Sequence, residues 1–217
     1  MGSEVDTVEP SVSPWGKVRR GRGRQYDIKR EAVLAAAAML MRRSGYGGMA
    51  LADLAEILNV TKPTLYHYVG SKEALFAEIV ERSQQMTIDM MREVVAGEGT
   101  GFEKLRRIMV AYMEIVNSDA GTGLLFASTA DIGPETQAAI AARARQANGI
   151  IHQVLEAGQA DGTLRVGDPA IVLHALFGSL NWTPNWFKPG GRLSLRDAAE
   201  QLVDVLLGGV RGPAAEA

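Results

Sequence analysis

The chain contains no cysteine, which removes disulfide frameworks and thiolate metal sites and fits a reducing compartment. It holds only three histidines and neither a G-x-S-x-G nor an H-E-x-x-H motif. Its glycine run "GEGTG" follows a helical pattern, where a dinucleotide site needs a preceding strand. His152 and His174 lie too far apart in sequence to suggest a metal pair. No catalytic residue, metal site or cofactor is therefore expected. Long apolar runs are missing as well. "AVLAAAAMLM" and "PAIVLHALFGSLNW" both fall short of the roughly 18 residues of a membrane span, and the N-terminus has no apolar signal core. A cytosolic chain with no membrane partner is expected. No segment alternates with a period of two for long, so no sheet is expected either.

What is present suits a folded, water-soluble chain of 217 residues with one core or two small ones: 47% hydrophobic and 22% charged. The net charge is only −2, but it is unevenly spread. Lys17, Arg19, Arg20, Arg22, Arg24, Lys29 and Arg30 face a single acid, Asp27, after a tail bearing Glu4, Asp6 and Glu9. Such a local basic face on an acidic chain is a candidate polyanion footprint, or else a solvated tail.

Residues 1–25, rich in Gly, Pro, Ser and charge, read as a disordered basic arm. From Ile28 the apolar period becomes helical through Ala32, Ala35, Ala36, Met39 and Leu40, with Gly45 as a left-handed stop. Leu51, Leu54, Ala55 and Leu58 mark a two-turn helix. Thr61 can cap a third that tolerates Pro63 in its first turn, and Gly70 ends it before Ser71 caps a fourth over 72–96. Further helical blocks are expected at 102–117, 121–130, 134–160, 168–187 and 194–207. The fold class is all-α with about nine helices: an N-terminal three-helix helix-turn-helix domain over 26–71 and a helical effector-binding and dimerisation domain over 72–217.

The stretch "NVTKPTLYHYVGSKEALF" carries the chemistry. Leu65 and Val69, four apart, can anchor the third helix inward, leaving Lys62, Thr64, Tyr66, His67 and Tyr68 outward or sideways. Lysine, tyrosine and threonine hydroxyls suit phosphates, while the threonine methyl, Lys and His suit base edges. Ser71-Lys72 adds free amides and a charge at the next helix start. A packing role for the aromatics is the plainer alternative.

"MALADLAEILNVTKPTLYHYVGSKEALF" resembles the DNA-binding region of the tetracycline-repressor (TetR) family of bacterial transcription regulators, with its Val-Thr-Lys turn, Leu-Tyr-x-Tyr recognition helix and Ser-Lys-Glu-x-Leu opening of the connecting helix. The resemblance implies DNA contacts at Lys62, Pro63, Thr64, Tyr66, His67 and Tyr68, a phosphate-binding Lys72, and a basic arm with Arg22 and Arg24 reaching the minor groove. The partners it implies are a double-stranded DNA operator, a second copy of the chain and a small-molecule effector. Two departures stand out. Gly48-Met49-Ala50 replaces the usual Ser or Thr cap of the second helix, and Val69 replaces a usual Phe.

One short reading helix contacts too few base pairs for specificity, so a dimer on two half-sites is expected. The resemblance places its interface on the last two helices, with Ile171, Ala175, Gly178, Leu202 and Leu206 as candidates. Methionines suit a deformable pocket wall as well as a core, and Met90, Met109, Met113, Phe126, Trp182 and Trp186 are the candidate effector contacts. "NWTPNWFKPGG" is similar to a Trp-x-x-x-Trp-aromatic-x-Pro-x-Gly segment of TetR-type regulators of lipid and sterol breakdown, some of which answer to acyl-CoA. The expectation is a ligand-released repressor with an apolar or acyl-CoA effector. A helical protein-interaction adaptor is the alternative, and salt-dependent DNA affinity separates the two.

Overall fold

The computed structural model describes residues 22–119, 121, 132–208 and 210. Among these are eight α-helices and no strand: α1 Arg22–Gly48, α2 Leu51–Ile57, α3 Lys62–Val69, α4 Lys72–Ala96, α5 Gly101–Val116, α6 Pro134–Ala160, α7 Pro169–Asn181 and α8 Leu195–Leu207. Helix α1 starts at Arg22 rather than Ile28, so residues 22–25, expected in the disordered arm, are helical. Residues 1–21 and the helix expected over 121–130, apart from Gly121, lie outside the described residues. Near the end of α1 the expected stop is a break at Gly45 (φ 68°, ψ 172°), a left-handed conformation that a Cβ would disfavour.

Two apolar cores organise the chain. In the first, Val33, Leu34, Ala37 and Met41 of α1 meet Leu54 and Ala55 of α2, Leu65 of α3, and Leu75, Phe76, Ile79 and Val80 of α4. Tyr46 packs its ring 4.7 Å from that of Phe76. The second core surrounds α5, whose Leu105, Ile108, Met109 and Met113 are completely buried among α6, α7 and α8. Helix α4 belongs to both, with Met91 in the second core and its first two turns in the first.

The start of α5 shows how tightly the second core closes. Thr100 and Glu103 form a reciprocal capping box, and Asp161, from the turn after α6, accepts the Gly101 amide at 2.7 Å. The amide of Phe102 donates to Thr163 Oγ1 at 3.1 Å. Free first-turn amides thus find partners across 60 residues of sequence. The Thr100 amide and hydroxyl hold the Glu103 carboxyl below its ordinary range, and the Thr163 hydroxyl, followed by the Gly101 amide, does the same for Asp161. Gly101 is needed for the approach: a Cβ there would sit 2.2 Å from the Cα of Gly158 in α6.

The block expected as one helix over 168–187 ends at Asn181. A single 3-10 turn, Thr183–Asn185, follows. Pro184 has no amide hydrogen to continue the ladder, and Thr183, completely buried, accepts from Asn117 Nδ2 at 2.7 Å and donates to the Leu180 carbonyl at 2.7 Å.

Candidate nucleic-acid interface and effector cavity

Helices α2 and α3 are joined by a tight turn in which Asn59 takes a left-handed φ of 52°, a conformation asparagine tolerates better than most residues. No side chain caps α2 at Ala50, as the departure at Gly48-Met49-Ala50 implies. Helix α3 is better closed. Thr61 Oγ1 accepts the Thr64 amide at 3.4 Å and lies 2.9 Å from the Thr64 hydroxyl, and Gly70 ends the helix at φ 65°.

Only Leu65 of α3 is completely buried. Val69 and Tyr68 are partly buried against the first core. Lys62, Pro63 and His67 are exposed, and Tyr66 is half exposed. The outward set expected from sequence is therefore assembled on one short helix, except that Tyr68 leans sideways. It stacks on Tyr26 of α1 with ring centroids 5.0 Å apart, and Tyr26 also meets His67 edge-on at 5.9 Å. His67 and Tyr68 are themselves 5.4 Å apart. Tyr26 is not among the site residues expected from sequence. Its one sequence signal is an aromatic beside a basic run, and that run reads as disordered.

Ser71 caps α4 through the Ala74 amide at 3.0 Å. Lys72 lies next to it, partly buried. Its ammonium sits 4.6 Å from the centroid of the Tyr46 ring and donates to the Gly47 carbonyl at 3.3 Å. These contacts fix the charge beside the end of α3 without neutralising it. Arg24 is exposed on the first turns of α1, and Arg22 opens that helix. Farther along α1, Arg30 pairs with Glu78 of α4, and Arg82 of α4 bridges Glu31 at 2.6 Å and Glu78 at 2.9 Å. This network locks α4 to the domain that carries α3.

A cavity of about 390 Å³ opens between α4, α5, α6 and α7. Helix α4 contributes Ser83, Gln84, Thr87 and Met91; α5 contributes Tyr112, Ile115 and Val116. The opposite walls are Ile140, Arg143, Ala144, Ala147, Asn148 and Ile151 of α6, with Leu173, His174, Phe177, Gly178 and Asn181 of α7. At its α7 end Tyr112 donates to Asn181 Oδ1 at 2.6 Å and packs edge-on against Phe177 at 5.2 Å. Burial pushes the Tyr112 hydroxyl up to about 12, so it stays protonated and donates.

Among the described residues, none of the expected effector contacts lines this cavity. Met109 and Met113 lie in the second core because α5 is surrounded on all sides. Met90 packs at the core's edge, and its neighbour Met91 is the α4 methionine on the cavity wall, a consequence of the 100° turn per helical residue. Trp182 and Trp186 are 64% and 47% exposed, held away from the cavity by the turn after α7. Phe126 lies outside the described residues. The signal that the sequence does hold for the cavity is the stripe Ser83, Thr87 and Met91, which faces the small residues Ala144 and Ala147. Of the dimer candidates, Ile171, Ala175 and Gly178 form an exposed stripe on α7, continued by Trp182, while Leu202 and Leu206 of α8 are partly buried. Gly178 also borders the cavity.

Comparison with known proteins agrees with this architecture. Residues 33–79 match the model of the bacterial regulatory proteins of the tetR family, and residues 98–210 match a tetracyclin repressor-like C-terminal domain. The transcriptional repressor NemR of Escherichia coli strain K12 is 30% identical over 161 residues, covering 68% of this chain and 79% of that protein. The repressor KstR2 of Mycolicibacterium smegmatis is 22% identical over 187 residues, covering 84% and 90%. Among solved structures, AibR in complex with isovaleryl coenzyme A and operator DNA superposes with a TM-score of 0.73 at 27% identity, covering 84% of this chain and 97% of that one. With a helix-turn-helix head and a matching helical C-terminal domain on one chain, this protein belongs to the TetR family of bacterial transcription regulators.

Proposed function

We propose that the chain is a homodimeric operator-binding repressor released from DNA by an effector in the α4–α7 cavity, an acyl-CoA or another largely apolar small molecule. The observation that carries this reading is the position of α4. Its first turns pack beneath the recognition helix, and its later turns form a wall of the cavity. A ligand that shifts α4 therefore moves the reading head.

Lys62, Pro63, Thr64, Tyr66 and His67 on α3, with Lys72, form the DNA face in this reading, and Arg24 lies on the arm side of it. The exposed α7 stripe of Ile171, Ala175, Gly178 and Trp182, with Val205 of α8 at 77% exposure, supports a second copy as the dimer partner. That AibR was solved with isovaleryl coenzyme A and operator DNA supports an acyl-CoA. Linkage requires the effector to bind the DNA-incompetent spacing of the two heads more tightly. The test is an anisotropy titration on DNA upstream of the protein's own and neighbouring genes, repeated across salt and with acyl-CoA thioesters. Nanomolar, steeply salt-dependent binding that a thioester reverses is expected. Binding indifferent to salt, or to every effector, would refute it.

A further inference from the structure

Among the described residues, the cavity wall carries one fixed charge, Arg143 of α6. Its guanidinium pairs with Glu81 of α4. One turn away, Gln84 Nε2 of α4 donates to the Ile140 carbonyl of α6 at 3.1 Å. The carbonyl fixes which end of the Gln84 amide faces it, and Gln84 Oε1 is left buried without a hydrogen-bond partner among the described residues. At the cavity edge, the described residues therefore stitch the seam between α4 and α6 by the Arg143–Glu81 ion pair and the Gln84–Ile140 hydrogen bond. The rest of the described lining is apolar or polar, with no second fixed charge.

Taking the cavity as the effector site, we infer that the effector is an amphiphile with an apolar body and an anionic head, and that the head takes Arg143 from Glu81. The ligand head and Glu81 compete for the same guanidinium. Arg143 is only 26% exposed while Glu81 is 56% exposed, so Glu81 can return to water at little cost while Arg143 stays at the cavity mouth. An anion beside an apolar pocket satisfies that guanidinium with charge-assisted hydrogen bonds, and the tail fills the apolar walls. The exchange also gives the ligand a preference between states. With the seam closed it must displace Glu81, and with the seam parted it need not, so an anionic ligand favours the parted seam and the shift of α4 that accompanies it. A carboxylate on a fatty acid and the phosphates of a coenzyme A thioester share this chemistry.

The test uses the full-length dimer with decanoate, decanoyl-CoA and the uncharged decanol, reading ligand binding by calorimetry and DNA release by anisotropy. At least one anionic probe should bind about ten- to a hundredfold more tightly than decanol. Arg143→Gln should erase that advantage, read as the ratio of anionic-probe to decanol affinity within the same variant. Glu81→Gln should tighten the anionic probe by about two- to fivefold, the range for an exposed ion pair. Decanoate and decanoyl-CoA distinguish the two sources of charge. Ala147→Phe and Ala144→Phe, which fill the cavity, separate the inference from the reading it rests on. If either filling variant abolishes binding but Arg143→Gln leaves the anionic advantage intact, the inference falls and the cavity stands. If neither affects a bound probe, or no probe binds, both fall.

Discussion

Replacing Tyr26 by leucine tests how the recognition helix is held. Helix α3 has one completely buried anchor, Leu65, which resists lifting but not rolling. Roll is opposed by the rings of Tyr26, His67 and Tyr68, which lie 5.0 to 5.9 Å apart. Aromatic pairs contribute about 0.5–1.5 kcal/mol beyond their buried area. Removing the two Tyr26 pairs thus takes away about 1–2 kcal/mol of orienting energy, set low in the range because the cluster is partly solvated. Discrimination between a preferred duplex and a scrambled one should fall about five- to thirtyfold. Affinity for the scrambled duplex and its salt slope should hold, because phosphate binding does not depend on ring orientation. The preferred duplex comes from selection on a randomised library with the unmodified protein, and both duplexes are measured by anisotropy across salt. Tyr26→Phe keeps the ring and should behave like the parent. Equal weakening on both duplexes, or an equal effect in Tyr26→Phe, would refute the positioning argument. His67→Ala is the control, since it should also relax sequence preference.

Lys72→Ala should weaken all duplexes alike and reduce the magnitude of the salt slope by about 0.9 for each phosphate it no longer neutralises, read from binding against log salt; an unchanged slope would remove Lys72 from the phosphate face. Gly101→Ala forces a Cβ to within 2.2 Å of the Gly158 Cα, and separating α5 from α6 should cost about 1–3 kcal/mol, seen as a Tm lowered by several degrees. Asp161 and Glu103, both held below their usual range, contribute stability that is complete above their unfolded values and lost as pH falls through the lower folded ones. Urea melts below roughly pH 4 should therefore show the parent losing stability more steeply than Asp161→Asn.

The caps were legible in the sequence because they are local. Thr61, Gly70 and Ser71 close α3 and open α4 as their chemistry requires, and Leu65 was identifiable as the anchor of a short polar-faced helix. Val69, smaller than the family's usual Phe, still packs against the first core. Which methionines line the cavity was not legible. A methionine on a helix surrounded by four others and a methionine on a cavity wall have the same sequence spacing, and only the assembled helices distinguish Met109 and Met113 from Met91. Tyr26 was hidden for a related reason. Glycine and arginine around it suggest an arm, whereas packing against α3 extends α1 through it.

The sharing of α4 between two cores limits how the protein can be taken apart. Leu75, Phe76, Ile79 and Val80 complete the first core, while Met91 already belongs to the second. A fragment cut at the end of α3 would lose the floor of its own core and should not fold. A chimera joining this reading head to another sensor would need its splice in the turns between Val80 and Met91, and would have to supply its own partners for Glu81 and Gln84.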